Sequence, residues 1–527
     1  MKNGYLLFFI FLVPLFVQAQ FRPSFENKTL LNQSTWLNRQ ISNSEVNRYS
    51  DLVPISNGTS NLDTTKTITS DTMKYNMYGG LLNDDPIYTK KRPIWFPVIQ
   101  IIIQGMLLNL ADHYVMHFDW ATVGFKSWNK TVLHSGFPWG NGWEWDNARF
   151  GNDFLLHPYT GASYFNAARS SGYNFWESSI FVFGGSYLWK LFGENGGPEY
   201  KPARNSIIAT TLGGMVMGEG LYRLGSDVID LRATGVERVS RELLAFIISP
   251  GRSFSRFLSG KLFDHISEDV YQTEPLNITF SPGYHRVNEG TSIENGSNSF
   301  NLNISLDYGN PFEKISRKPF DYYKVQGDLD LGVGRKIADN ITGYGILYGN
   351  NIQSGNLETL VGLFQHMDYF DNKTFELGTF AFGPGIIAKL PMSNNSSLYT
   401  NLHVSLVPFG ALSGRFGPDT TQVRDFDYDC GAQITSESTY NIGGWVGLTF
   451  TAYYWWLHTV YGTAGNSYIG LIKPRITFKL FNNVSIGFEH LVYYSDRYPR
   501  DFPSVHSVRT EQKIFVQIFI EEFKFKR

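Results

Sequence analysis

Cysteine is almost absent from this 527-residue chain: Cys430 stands alone, which excludes a disulfide framework and a cysteine-based zinc site. Charge is scarce as well, 17% of residues against about 25% in a typical soluble protein. Its 45 basic and 47 acidic side chains nearly cancel, to a net −2, which excludes a bulk electrostatic case for nucleic acid. The chain has no Walker-type phosphate loop, no His-Glu-x-x-His and no Gly-x-Ser-x-Gly elbow, and its 11 histidines are scattered, so neither a metal nor another cofactor is expected. What abounds is rings and turns: 42 Phe, 30 Tyr, 12 Trp and 51 Gly, within a 42% apolar composition able to bury a core.

Long apolar runs are few. Tyr5 to Phe16 follows a single Lys and precedes Val17-Gln18-Ala19, small residues where a signal peptidase cuts, so residues 1–19 read as a secretory signal peptide. At about 12 residues the run is too short to span a bilayer. Residues 20–92 are rich in Asn, Ser and Thr and read as a polar, partly disordered segment. The second run, Ile94 to Leu110, carries Gln100, Gln104 and Asn109 along one helical edge and no charge before Asp112. It fits a spanning helix with a basic flank or a buried helix of a helical domain; its shortness and Pro97 favour the buried one. Helical periodicity continues at about 159–170, 174–192, 203–224 and 236–248, placing an α-helical domain of four to six helices at 93–265.

Beyond about Pro275 the period falls to two. Leu302, Ile304, Leu306 and Tyr308 alternate with Asn301, Asn303, Ser305 and Asp307, and Leu398 to Leu406 and Val484 to Phe488 repeat the pattern. Some twelve such segments start near 275, 298, 321, 340, 356, 374, 396, 424, 440, 467, 483 and 508, the eighth being the weakest. Turn signals stand at Asn350-Asn351, Asp371-Asn372, Asn394-Asn395 and Asn482-Asn483. Amphipathic segments of about 10 residues with aromatic ends, as in Tyr453-Tyr454-Trp455-Trp456, are the transmembrane β-barrel pattern, so 275–527 is read as an outer-membrane barrel of about 12 antiparallel strands. A soluble β-sandwich also alternates; export and strand number weigh against it. An inner-membrane helical domain bearing a periplasmic β-domain is the third arrangement. The expected partners are outer-membrane lipid and the barrel-assembly machinery, although the chain ends Phe525-Lys526-Arg527 instead of on an aromatic.

Six polar residues in the helical region look placed: His157, Tyr164, Arg169, Glu194, Glu219 and Arg223. They stand in His-Pro-x-x-Gly-x-x-Tyr (157–164) with Arg169, in Gly185-Ser186-Tyr187-Leu188-Trp189 with Glu194, and in Gly-Gly-x-x-x-Gly-Glu-x-x-x-Arg (213–223). In these motifs the chain resembles an uncharacterised family of Bacteroidetes-type envelope proteins, known only as a domain of unknown function, which implies an exported, barrel-bearing protein and no activity. Two departures from the family's pattern stand out: Lys190 follows Trp189 where an acidic residue is expected, and Asn205-Ser206 stands where Asn-Asp is more usual. Glu219 and Arg223 are four apart in the favourable helical order, and Gly214 and Gly218 leave a smooth groove for a second helix. The cluster thus reads as a structural polar network tying Gly-packed helices together. The alternative is an active site on lipid or another amphipathic substrate, with His157 as base, Glu219 or Glu194 orienting it and Arg169 or Arg223 holding an anion. Ser163 and Ser186 are its only candidate nucleophiles, neither in an elbow. The expected function is a structural or gated envelope component handling a small or amphipathic ligand, with the helices in or beneath the barrel lumen.

Overall fold

The computed structural model describes residues 91–523 except 126–127, 129–139, 141, 147–148, 195–200, 264, 266–273, 314–317, 333–336, 373–375, 393–394 and 414–425. The expected signal peptide and residues 20–90 of the polar segment lie outside the described residues. Those described belong to one compact unit of the chain, Thr69–Arg527.

Among the described residues six α-helices precede the strands: α1 Trp95–Tyr114, α2 His157–Arg169, α3 Phe175–Phe192, α4 Arg204–Val228, α5 Gly235–Ile248 and α6 Pro250–Leu258, with a π-helical turn, Asn152–Leu156, leading into α2. Asn174 starts α3 with a capping box shared with Glu177, and Pro158 occupies the first turn of α2, where its missing N–H costs nothing. Twelve antiparallel strands follow: β1 Leu276–Glu289, β2 Ser292–Tyr308, β3 Tyr323–Asp330, β4 Ala338–Ser354, β5 Leu357–Asp371, β6 Glu376–Pro391, β7 Ser397–Ser413, β8 Phe426–Ile442, β9 Val446–Tyr461, β10 Gly465–Phe481, β11 Val484–Pro499 and β12 Val505–Ile520. Each pairs with its neighbours in sequence, and β1 closes on β12 from Ile278↔Ile520 to Val287↔Glu511, so the sheet is a closed barrel, with the short β3 pairing β2 only over Asn301–Tyr308 and β4 only over Ala338–Gly345. The Asn350-Asn351 turn signal is corrected: both residues lie inside β4, Asn351 donating to the Pro311 carbonyl, and the turn falls at Gly355 with φ +59°.

We call the end where β1 begins and β12 finishes the base, and the other end the crown. The wall is inside-out compared with a soluble protein. On β7, Leu402, Val404 and Leu406 are exposed while Asn401, His403 and Ser405 are buried; on β12, Ile514, Val516 and Ile518 are exposed while Glu511 and Lys513 are buried. Neighbouring strands keep the faces in register, as in Ile476↔Phe488↔Ile514. The alternation of the sequence therefore resolves into an apolar exterior and a polar lumen.

The helical layer does not occupy the lumen, and that expectation is corrected. On β5, Leu363 is exposed, and Gln365 and Tyr369, two and six residues on and therefore facing outward too, meet helical residues: Gln365 donates to the Leu212 carbonyl (3.3 Å) and Tyr369 stacks on Phe150 (centroids 5.5 Å). On β6 the exposed Ile386 shares its face with Phe380, which stacks on Phe154 (5.4 Å), and on β8 the exposed Ile434 shares its face with Tyr428, which packs on Trp145 (5.1 Å). Near the base, Tyr323 of β3 donates to the Gly220 carbonyl. The helices thus lie against the outer wall of β3 to β8. The physical reason is space: strand side chains already fill the lumen.

α4 runs roughly 37 Å along this wall at 1.5 Å per residue. Its Asn205 end is at the crown and its Arg223 end at the base. α2 crosses it where Gly161 faces Gly214; a Cβ on Gly161 would collide with the Thr210 carbonyl and the Gly214 Cα. The expectation that α1 is a buried helix is also corrected: it buries only Pro97, Gln100 and Ile101.

Candidate functional site

Three polar assemblies are candidates for function. The first lies toward the base. Arg169, the last residue of α2, lays its guanidinium along the fully buried Glu219 of α4, Nε and Nη2 donating to the two carboxylate oxygens at 2.7 and 2.9 Å. Arg223, one turn after Glu219, donates to Glu219 Oε1 at 3.1 Å, lies 3.1 Å from Asp321 Oδ1, and donates to the Pro319 carbonyl at 2.8 Å. Asp321 and Pro319 belong to the β2–β3 connection. The network therefore ties α2 to α4 and both to the barrel. Tyr222 roofs it, its ring under the guanidinium carbons of Arg169 (4.9 Å) and Arg252 (4.4 Å).

The second assembly lies at the crown, roughly 21 Å away along α4. Asp153, fully buried in the π-helical turn, accepts from the Tyr428 hydroxyl (2.6 Å) and Asn205 Nδ2 (3.0 Å); Asn205 also donates to Asp146 (2.6 Å). His157 Nε2 is 3.6 Å from Asp153 Oδ1, beyond hydrogen-bond length. Lys190 donates to both oxygens of Glu194 at 2.8 Å, and Trp189 Nε1 donates to the same carboxylate at 2.7 Å. Burial, reinforced by the Asp146 charge, pushes the Asp153 carboxyl up to about 7 against the pull of its Tyr428 and Asn205 hydrogen bonds. Burial, helped by Lys190, lowers the His157 imidazole to about 4. Burial thus favours the uncharged form of both groups.

The structure thus pairs Glu219 with Arg223, as their spacing suggested, adds Arg169 to them, and separates all three from His157 and Glu194. The expectation that Glu219 orients His157 is corrected; the carboxylate beside that ring is Asp153. Tyr164 joins neither assembly: it packs in an apolar cluster with Ile101 and Ala167, its ring against Gly185. Ser163 donates to Gln104 and Ser186 is buried on α3, so neither serves His157 as a nucleophile. Among the described residues no group of His, Cys, Asp or Glu could hold a metal. Sequence reasoning missed Asp153, although it stands four residues before His157, and could not reach Tyr428 or Asp321, which come from the barrel.

The third assembly is the lumen. Near the crown, Phe370, Leu377, Val407, Trp455, Leu471 and Leu491 belong to an apolar layer contributed by six strands, none of these residues more than 3% exposed. Tyr493 of this layer donates to Glu511 on the adjacent β12, and Glu511 with Asp330 flanks the buried His285 of β1. Toward the base a second layer, Tyr322, Ile346, Leu360, Phe364 and Ile387, is covered by Phe312 of the β2–β3 connection. Between the layers is a small polar cavity of about 30 Å³, room for little more than water, lined by Lys324, Tyr344, His366, Asp368, Glu437 and Tyr453 among others. Lys324 pairs with Glu437, and His366 meets His403 at 3.0 Å.

Residues 142–251, which hold both helical assemblies apart from their barrel contacts and the more distant Arg252, match a family model described as Domain of unknown function (DUF3943). No curated protein matches the chain. Among solved structures the chain is similar to the outer membrane channel DcaP of Acinetobacter baumannii (9% identity over 47% of this chain and 98% of that one, TM-score 0.25). It is also similar to the NanC porin (10%, 46% and 98%, 0.27) and to an outer membrane channel from Pseudomonas putida F1 (7%, 47% and 97%, 0.26).

Proposed function

We propose that this chain is an outer-membrane barrel protein that is closed to passive diffusion, a structural or gated envelope component whose helical domain is fastened to the outside of the barrel. The observation that carries this reading is the inverted wall. An exterior of exposed Leu, Ile and Phe over a polar interior is stable where the surrounding medium is hydrocarbon, and a closed barrel satisfies every strand edge there. The base, with both barrel termini and mostly short turns, faces the periplasm in this reading. Residues 1–19 direct export, and the barrel-assembly machinery and outer-membrane lipid are the partners. The cavity between the layers, too small for a ligand as it stands, becomes the place for one when a layer moves and enlarges it.

A lipid-acting enzyme draws no support from the helical geometry: His157 has no hydroxyl or thiol partner among the described residues, and Glu219 is saturated by two arginines. Liposome swelling with the full chain tests the proposal. Sugars and small ions stay excluded if the layers close the lumen; rapid entry through the unmodified chain refutes it.

A further inference from the structure

We infer that the helical domain lies within the bilayer beside the barrel, with α1 and α3 facing acyl chains. This rests on the membrane-barrel reading above and extends it from the strands to the helices.

α1 is inside-out in the same sense as the barrel wall. Its polar edge faces protein: Gln100 is fully buried, Gln104 accepts from Ser163, and Asn109 donates to the Ala121 and Gly193 carbonyls. Its apolar faces point away, with Ile99, Ile102, Met106, Leu107 and Leu110 exposed. In water this arrangement wastes the hydrophobic effect; in hydrocarbon it is the stable one. α3 shares it in part, burying Ser178, Ser186 and Lys190 alongside Phe175, Val182 and Leu191 while exposing Trp176, Ile180 and Phe192.

Length and height agree. Twenty residues of α1 span roughly 30 Å, the thickness of a hydrocarbon core. α1 and α3 run side by side from base to crown: Lys91 pairs with Glu177 at their start, and Asn109 reaches the Gly193 carbonyl at their end. Phe175, at the start of α3, stacks on Phe320 beside Tyr323 at the barrel base (5.9 Å), while Lys190 and Glu194 at its end reach the crown assembly. The pair thus covers the same depth as the barrel's exposed apolar belt and continues it. Tryptophans mark both ends, Trp95 and Trp176 at the base and Trp120, Trp128 and Trp189 at the crown, where amphipathic rings meet headgroups. The basic Lys91-Arg92 start fits the periplasmic headgroup level.

The test is spin-label accessibility on the full chain, refolded into vesicles of phosphatidylcholine and phosphatidylglycerol in a Cys430→Ser background. Single cysteines are placed at Ile102 of α1, Ile180 of α3, Phe450 on the barrel exterior and, as the aqueous reference, Glu237. Oxygen collisions exceeding those of a water-soluble nickel chelate at Ile102 and Ile180, as at Phe450, support the inference. Lipid-like behaviour at Phe450 with nickel-accessible Ile102 and Ile180 overturns it while sparing the barrel reading. Nickel access at Phe450 itself overturns both. Dipolar broadening at Ile102 that disappears on dilution with unlabelled chain would mean that a second copy covers the face, and also overturns it.

Discussion

Replacing Glu219 by Gln keeps the side chain's size and removes the one charge that two guanidinium groups share. Arg223 retains Asp321 and the Pro319 carbonyl, but Arg169 is left with the Tyr173 carbonyl (3.2 Å) and the Tyr222 ring. Breaking one partner out of a buried ion pair costs about 3 to 5 kcal/mol, because the remaining charge stays desolvated. Total stabilities run at about 5 to 15 kcal/mol, so Glu219→Gln should lower the urea midpoint of the vesicle-refolded chain sharply. It should loosen the base end of α4 from the β2–β3 connection, while the Phe150, Phe154 and Asp153 contacts still hold the crown end to the barrel. Replacing both partners by apolar residues, Arg169→Met with Glu219→Leu, removes the stranded charge and should return to within about 1 kcal/mol of wild type. A Glu219→Gln chain that unfolds within about 0.5 kcal/mol of wild type refutes the fastening role. Intact folding with an altered envelope lipid profile would revive the enzyme reading.

Three further outcomes follow from the same geometry. Trp455→Ala with Phe370→Ala thins the crown layer and should turn a silent planar bilayer into a conducting one; unchanged silence would place the closure elsewhere. Asp153 and His157 should give opposing pH dependences: a carboxyl raised from 3.8 to about 7 loses stability as pH rises across that window, and an imidazole lowered from 6.5 to about 4 gains stability between those values. Each slope is at most about 1.4 kcal/mol per pH unit and the two offset in the native chain, so Asp153→Asn should be stabilised from pH 4 to 6.5 and His157→Gln destabilised from pH 4 to 7, as read by urea midpoints. Gly161→Leu drives a side chain into α4 and should cost about 1 to 3 kcal/mol or abolish refolding, whereas the same change at the open Gly184 should do neither.

Strands and helices were legible because their periods are local. Leu302 to Tyr308 and Leu398 to Leu406 alternate whatever surrounds them, and the base turns at Asn395 and Asn482-Asn483 use residues that tolerate tight bends. What alternation does not say is which face meets what: Tyr428 and Leu406 are both outward, yet one lies under Trp145 and the other is exposed. The placement of the helices outside the barrel depended on that distinction and was missed. The Glu219–Arg223 pair was visible at i, i+4, whereas its completion by Asp321, 98 residues on, was set by tertiary packing alone. Lys190 registers in the sequence only as a departure from a pattern and Asn205 only as the residue before one; in three dimensions they neutralise Glu194 and bridge Asp146 to Asp153.

The location of the intact chain tests the central claim most directly. Separated on a density gradient, envelopes carrying the full-length protein should hold it in the dense outer-membrane fraction, resistant to carbonate and shifting in gel mobility on boiling as closed barrels do. Recovery with inner-membrane markers, or release by carbonate, would contradict the account.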